Sequence, residues 1–366
     1  MRQGFLIGLS AVVLLTVSCG GGSSGDTPTV SSFAFVGNND QSSVSVFSVD
    51  ADTGILGPLT TVATPAPSGG ATYLEFDPSG RFMVVSGEFG NVISTFTIDS
   101  TGKPVPLGGA IVTDGLSPHN LSFTPDGRFL YAANVLSNNV SGFGLAEDGT
   151  LKAIAGSPFA AGRTPYDVKV AGSGRFAYAV NRDSDDISVY SISTTGALTA
   201  IPGQPFKVAT CPAQGCGPRG LQFSPRGNFA FVPNRFSNNV TVLAVDTTTG
   251  ALSPVPGSPF AAGTDPRSAA LDPSGRHLYV PNTTSNDVSA FSIDASTGAL
   301  TQLPGSPFPA GTAPLSVEVD ASGRFVYVAN SGSNDVSMYR IDVVTGGLTS
   351  LGRAGTAGSA FSIVLK

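Results

Sequence analysis

Pro266-Arg267-Ser268-Ala269-Ala270-Leu271-Asp272-Pro273-Ser274-Gly275-Arg276-His277-Leu278-Tyr279-Val280 is the stretch on which the fold turns, together with its continuation Ser285-Asn286-Asp287-Val288-Ser289-Ala290-Phe291-Ser292-Ile293. Residues 268–271 read as one short strand. Asp272-Pro273-Ser274-Gly275 reads as a hairpin turn, with Gly275 where a positive φ costs little. Residues 276–280 form the returning strand, 285–287 the next turn, and the alternating 288–293 a third strand, with a fourth around Leu300. Period-two alternation, broken by turn residues every roughly eight to twelve positions, marks half-buried strands joined by hairpins.

Working outward, the same unit recurs. A Thr-Gly-x-Leu phrase and its variants place glycine at 54, 102, 149, 196, 250, 298 and 346, at intervals of 48, 47, 47, 54, 48 and 48 residues. The excess in the long interval matches the length of Cys211-Pro212-Ala213-Gln214-Gly215-Cys216, so that segment is an insertion into a regular array. Four-stranded units repeating every roughly 40–50 residues specify a β-propeller, because each small sheet must bury both faces against its neighbours around an axis. Seven units give seven blades. Phe33-Ala34-Phe35-Val36 matches the second strand of a blade and Ser362-Ile363-Val364-Leu365 the first, so the C-terminal strand is expected to join the N-terminal blade and close the ring. A solenoid would carry polar capping repeats rather than complementary half-units. The expected fold is therefore all-β, a seven-bladed β-propeller of four-stranded blades over residues 31–366.

Composition agrees. With 46 Gly, 27 Pro and only 12% charged residues, a helical or coiled-coil chain is excluded, while 41% hydrophobic residues can fill a core. The net charge of −6 leaves no basic stripe, so no nucleic-acid partner is expected. Only two histidines are present, which excludes a His-rich zinc site; no metal and no cofactor is expected.

The first 18 residues read as an export signal: Arg2 precedes an apolar run over 5–17 that is too short to span a bilayer. Its end, Leu15-Thr16-Val17-Ser18-Cys19, followed by Gly20-Gly21-Gly22-Ser23-Ser24-Gly25, resembles a bacterial lipoprotein signal, with Thr16 where Leu is usual. That resemblance implies cleavage before Cys19, acylation of its thiol, and residues 19–30 as a tether on the periplasmic or surface side of an envelope membrane; separately, a monomer is expected. An ordinary secretory signal is the alternative reading. The remaining thiols, Cys211 and Cys216, close a short loop in an oxidising setting and read as a disulfide.

The repeats also carry a family resemblance. Residues 266–282, and 314–330 with their Tyr327-Val328-Ala329-Asn330, resemble the seven-bladed lactonase family, which includes 6-phosphogluconolactonase-like proteins, and the YVTN-repeat propellers of bacterial surfaces. The likeness covers residues 31–366 and implies the propeller fold and, as an activity, lactone hydrolysis. Family members carry a His after Pro on one inner strand, Pro-Arg-His two blades on, and a Glu directly after the Asn that ends the next strand. Pro118-His119 matches the first feature and Pro218-Arg219 the second. Gly220 stands where the second His belongs, and Arg235 follows Asn234 where the Glu belongs.

Comparing the blades with one another separates folding slots from candidate binding slots. Arg81, Arg128, Arg175, Arg276 and Arg324 recur in the Gly-Arg hairpin and read as inter-blade structure. His277 occupies the slot of Phe82, Phe129, Phe176, Phe229 and Phe325, and reads as a strand residue. The slot after the residue that opens each inner strand, a Pro in five blades and Ala71 or Ala360 in the other two, varies instead: Thr72, His119, Tyr166, Arg219, Arg267, Leu315 and Phe361. In a propeller it lies at the channel mouth, facing the slot that holds Glu88, Arg182 and Arg235. Four arginines on three successive blades, with His119 nearby, make a positive mouth suited to a carboxylate or phosphate. The alternative is that some pair with Asp183, Asp265 or Glu88 as rim salt bridges. Two functions stay open. One is an anchored propeller that captures a small anionic molecule or a protein partner through Tyr166, Arg182, Arg235, Arg267 and Glu88. The other is a lactone hydrolase, with His119 as base on water and Arg219 steadying the oxyanion. Export disfavours a phosphorylated cytoplasmic sugar as substrate.

Overall fold

The computed structural model describes residues 30–67, 69–208 and 211–366. The signal segment and Cys19 lie outside the described residues. Among the described residues there is no helix, and the strands form seven antiparallel sheets arranged as the blades of one closed ring.

Blade 1 runs Ala360–Leu365, Val30–Asn38, Ser43–Asp50, Leu56–Ala63 from the inside outward. Its inner strand comes from the C-terminus, in the register Ala34↔Leu365, Phe35↔Val364, Val36↔Ile363 and Gly37↔Ser362. The ring therefore has no open seam. In every blade the first strand leaves the mouth, the second returns to it, and the hairpin between them lies on the opposite face. Five blades add a two-residue strand beyond the four expected, such as Phe260–Ala261 against Asn239–Val245. In blades 5 and 6 the inner ladder shrinks to Gln222–Phe223 and Ala270–Leu271, so the strand expected over 268–271 begins two residues later. Isolated bridges, Pro218↔Asn234 and Pro266↔Asn282, keep those two inner segments in register.

One contact, repeated around the ring, locks each blade to the next. A Cβ on Gly196 would stand 2.5 Å from the Phe129 ring of the preceding blade, and Tyr131 donates its hydroxyl to the Gly196 carbonyl at 2.7 Å. Gly250 sits likewise on Phe176 beneath Tyr178, and Gly54 on Phe325 beneath Tyr327, which joins blade 7 to blade 1. These glycines have positive φ and no room for a side chain, which is why the Thr-Gly phrase recurs. His277 takes the aromatic place against Gly346. The hairpin arginines complete the seam: Arg81 donates to the Glu147 carbonyl at 3.0 Å, Arg175 to Thr248 at 3.2 Å and Arg276 to Val343 at 2.9 Å, each on the next blade. Arg128 instead pairs with Asp126 of its own turn at 2.7 Å. The inserted Cys211–Cys216 segment forms a disulfide-closed loop just before the inner strand of blade 5.

Candidate functional site

The variable slot owes its position to a backbone irregularity. On the inner strands the register shifts just after the opening residue: Pro165 pairs with Asn181 but Asp167 with Val180, which leaves Tyr166 out of the ladder. The same shift frees Thr72, His119, Leu315 and Phe361. A bulge re-aims its extra residue, and here the extra residue is the one at the mouth. Five of the incoming loops, those of blades 3 to 7, are held by the preceding blade through an Asn or Asp in left-handed conformation. Asn91 Oδ1 accepts the Ser117 N–H at 2.7 Å, two residues before His119. Asp185 Oδ1 accepts the Cys216 and Gly217 N–H groups, both at 2.8 Å, just before Arg219.

The channel beneath holds a cavity of about 100 Å³, bordered by His119, Arg219, Arg267, Leu315 and Phe361 above and by Glu75, Lys169 and Glu318 below. The His119 ring packs edge-on against Tyr166, 4.9 Å between centroids, and against Phe361 at 5.8 Å.

The arginines expected to act together differ in their partners. Arg182 makes a two-pronged pair with Asp183, at 2.6 and 3.0 Å, and donates to the Tyr166 hydroxyl at 3.1 Å. Arg267 grips Asp265 at 3.0 and 2.8 Å, and Arg235 reaches the same carboxylate at 3.2 Å. Arg219 makes no ion pair among the described residues. Its guanidinium lies 3.5 Å from the centre of the Tyr166 ring, and the residue is buried. Burial, then the neighbouring Arg267 charge, pushes its pKa down to about 10, which still leaves a full cation at neutral pH. Glu88 stands apart from the arginines, accepting hydrogen bonds from Thr72 at 3.4 Å and Ser117 at 3.1 Å.

Behind His119 lies a chain of residues from two blades. Asp167 Oδ1 accepts Asn120 Nδ2 at 2.8 Å, which turns the Asn120 oxygen toward His119 Nδ1, also at 2.8 Å. An amide oxygen only accepts, so Nδ1 carries the proton and Nε2 is left as the ring's acceptor. Burial, reinforced by the Arg219 charge, drops the His119 pKa to about 3, so the imidazole is neutral at physiological pH. Burial also pushes the Asp167 carboxyl up, while Lys169, Asn120 and the Leu221 N–H pull against it. Deeper still, burial raises Glu318 to about 7 and raises Glu75. Burial opposes the Lys169 ammonium, but the surrounding Tyr73, Asp167 and two glutamates hold its charge.

Gly220 and Arg235, the departures from the family pattern, have structural counterparts. A Cβ on Gly220 would stand 3.0 Å from the Arg267 carbonyl, so no histidine enters there without a backbone shift. Arg235 is committed to Asp265 on the next blade. Sequence reasoning passed over Asn120, Asp167, Glu75, Lys169 and Glu318. Their signal was the one that marked the mouth: slots two and four residues past the opening position vary from blade to blade.

The comparisons with known proteins agree with this architecture. The family described as lactonase, seven-bladed β-propeller, matches residues 28–158, 144–261, 258–308 and 270–365. Similar solved structures include a putative 6-phosphogluconolactonase from Bacteroides fragilis, at 22% identity and TM-score 0.81, covering 94% of this chain and 100% of that one. Another from Bacteroides uniformis has 23% identity and TM-score 0.80, covering 92% and 99%. The periplasmic gluconolactonase PpgL of Pseudomonas aeruginosa has 24% identity and TM-score 0.76, covering 91% and 98%. At these identities the likeness is one of fold. No curated protein matches the sequence.

Proposed function

This chain belongs to the seven-bladed β-propeller lactonase family, and from that premise we propose that its channel mouth binds a lactone or the hydroxy acid to which a lactone opens, with the carbonyl or carboxylate oxygens on Arg219. The observation that carries this reading is the isolation of Arg219. Three neighbouring arginines are ion-paired, Arg182 with Asp183 and both Arg235 and Arg267 with the single carboxylate of Asp265, whereas Arg219 is buried and makes no ion pair among the described residues. A desolvated cation without a partner is costly, and an arriving oxyanion removes that cost through paired hydrogen bonds.

A second reading, hydrolysis, draws on the Asp167–Asn120–His119 chain. Nε2 of His119 would take a proton from water as the water attacks the carbonyl, and Arg219 would steady the charge developing on the oxygen; as that adduct collapses, the ring C–O bond breaks and the imidazolium returns its proton to the leaving alkoxide oxygen. The neutral, acceptor form of His119 persists down to about pH 3. A hydrolysis that depends on it should therefore keep kcat/KM level through pH 6–7, where an ordinary histidine base would lose activity.

The test is binding of a simple carboxylate, alongside opening of δ-valerolactone, by the wild type, Arg219→Ala and His119→Ala. Arg219→Ala should weaken carboxylate binding by about 1.5–3 kcal/mol, the range for a hydrogen bond to a charged group. His119→Ala should abolish lactone opening and spare carboxylate affinity. Unchanged affinity in Arg219→Ala overturns the proposal; binding without turnover in the wild type leaves the first reading alone.

The same proposal places the protein in the cell envelope, exported by residues 1–18 and held through Cys19. Two features support it: the disulfide calls for an oxidising setting, and the chain enters the propeller at Val30 on the face away from the mouth, so a tether there leaves the mouth clear of the bilayer. Cys19→Ala should move the protein from the membrane to the soluble fraction, and a wild type that is wholly soluble would refute the anchor.

A further inference from the structure

Beside the mouth, blades 2 and 3 expose apolar side chains where most blades place polar residues or glycine. Phe89 and Leu136 are each 71% exposed, in a loop slot held by Asp40, Asp183, Thr284 and Gly332 on blades 1, 4, 6 and 7. Leu116 is 52% exposed, in a slot held by Arg163, Thr264 and Thr312 on blades 4, 6 and 7. All three border one groove of about 500 Å³. Scattered exposed apolar residues are ordinary, but a contiguous set on a concave surface marks a contact site. A volume of this size lies in the roughly 300–1,000 Å³ range of small-ligand sites, and three apolar side chains fall short of a protein interface.

The groove continues into the site. Tyr166 forms part of its wall, and the same Tyr166 ring carries Arg219 on its face and meets His119 at its edge. The polar groups around the groove are set against a second anion. Arg182 is already paired with Asp183, and Glu88, which makes no ion pair among the described residues, would repel a phosphate.

We infer that the ligand is amphipathic: its carboxylate or lactone carbonyl sits on Arg219, and an uncharged alkyl or aryl arm lies over Tyr166 into the groove of Phe89, Leu116 and Leu136. The inference rests on the anion site proposed above and adds a substrate class, aliphatic or aromatic hydroxy acids and their lactones rather than phosphorylated sugars. Burial of each methylene of the arm tightens binding by about fourfold until the groove is filled.

The test is calorimetric binding of acetate, hexanoate and decanoate to the folded protein and to single-site variants. In the wild type the Kd should fall steeply with chain length. Leu136→Asp and Phe89→Ser, at exposed positions where folding is little affected, should flatten that dependence, costing decanoate on the order of tenfold. Val344→Asp, equally exposed on the opposite face, should keep it. Equal affinity across the series, or a chain-length dependence that survives both groove variants, overturns the inference. Failure of the anion reading has a different signature: decanoate would bind Arg219→Ala as well as the wild type while still losing affinity in Leu136→Asp, which supports the groove without its ionic anchor. No binding by any member of the series overturns both.

Discussion

The seam between blades and the mouth of the channel are built from the same seven repeats, yet they behave in opposite ways. At the seam a glycine with positive φ lies under an aromatic ring of the preceding blade, at every junction around the ring. At the mouth one structural slot holds Thr72, His119, Tyr166, Arg219, Arg267, Leu315 and Phe361, with no two adjacent blades alike except at the arginines. The difference follows from backbone geometry. A seam residue must meet a fixed partner at van der Waals distance, so the repeat tolerates one solution. A bulged residue has no partner across the ladder and the fold does not dictate its side chain. Variation at the mouth is thus free to reflect a ligand, and the isolated charge of Arg219 is where it departs furthest from what stability would favour.

The contrast can be broken most severely at the ring closure. Removing residues 358–366 takes the inner strand from blade 1 and exposes the edge of Val30–Asn38. The truncated protein should be insoluble or lack a cooperative thermal transition; an unchanged melting curve would show the last strand to be dispensable.

A single atom at the seam should come next. Gly196→Ala puts a Cβ 2.5 Å from the Phe129 ring at a φ of +83°, and should cost about 2–4 kcal/mol by urea unfolding. Arg219→Ala, which deletes a whole charged side chain at the mouth, should change stability by less than about 1 kcal/mol, because the lost packing on Tyr166 is offset by removal of an unpaired buried charge. Equal costs at the two positions would erase the distinction.

The smallest effect concerns the channel below the mouth. Burial raises Glu318 to about 7 from its ordinary 4.5, so between those values the native state holds a proton that the unfolded chain has released. Native stability should therefore fall as pH rises from about 5 to about 8. Glu318→Gln should remove on the order of 1–2 kcal/mol of that dependence, a figure reduced because the side chain is only half-buried in the lumen. Parallel stability-against-pH curves for the wild type and the variant would exclude Glu318 as the titrating group.

Much of this architecture was legible in the chain. The 48-residue spacing of the Thr-Gly phrase gave the blade count, and the half-units at Phe33–Val36 and Ser362–Leu365 gave the closure, because each reflects a contact that recurs with the period of the repeat. The hairpin arginines were likewise recognisable as seam residues, although Arg128 proved to pair within its own turn. Less legible were the shortened inner ladders of blades 5 and 6 and the extra outer strands. Hydrogen-bond registry there depends on how far the bulge and the neighbouring blade displace the backbone, which periodicity does not encode.

The sequence by itself determined the ring, its seven blades, the order in which strands fill them, and the slots that face the channel. Only the tertiary structure decided the chemistry of the mouth. Asp265 lies two residues from Arg267 and thirty from Arg235, yet it serves both, while Arg219 packs on the Tyr166 ring and makes no ion pair among the described residues. Asp167 reaches His119 only through Asn120 of another blade. The physical reason is that charge, tautomer and pKa depend on distance and on loss of water. Both are set only when strands far apart in sequence are brought round one axis.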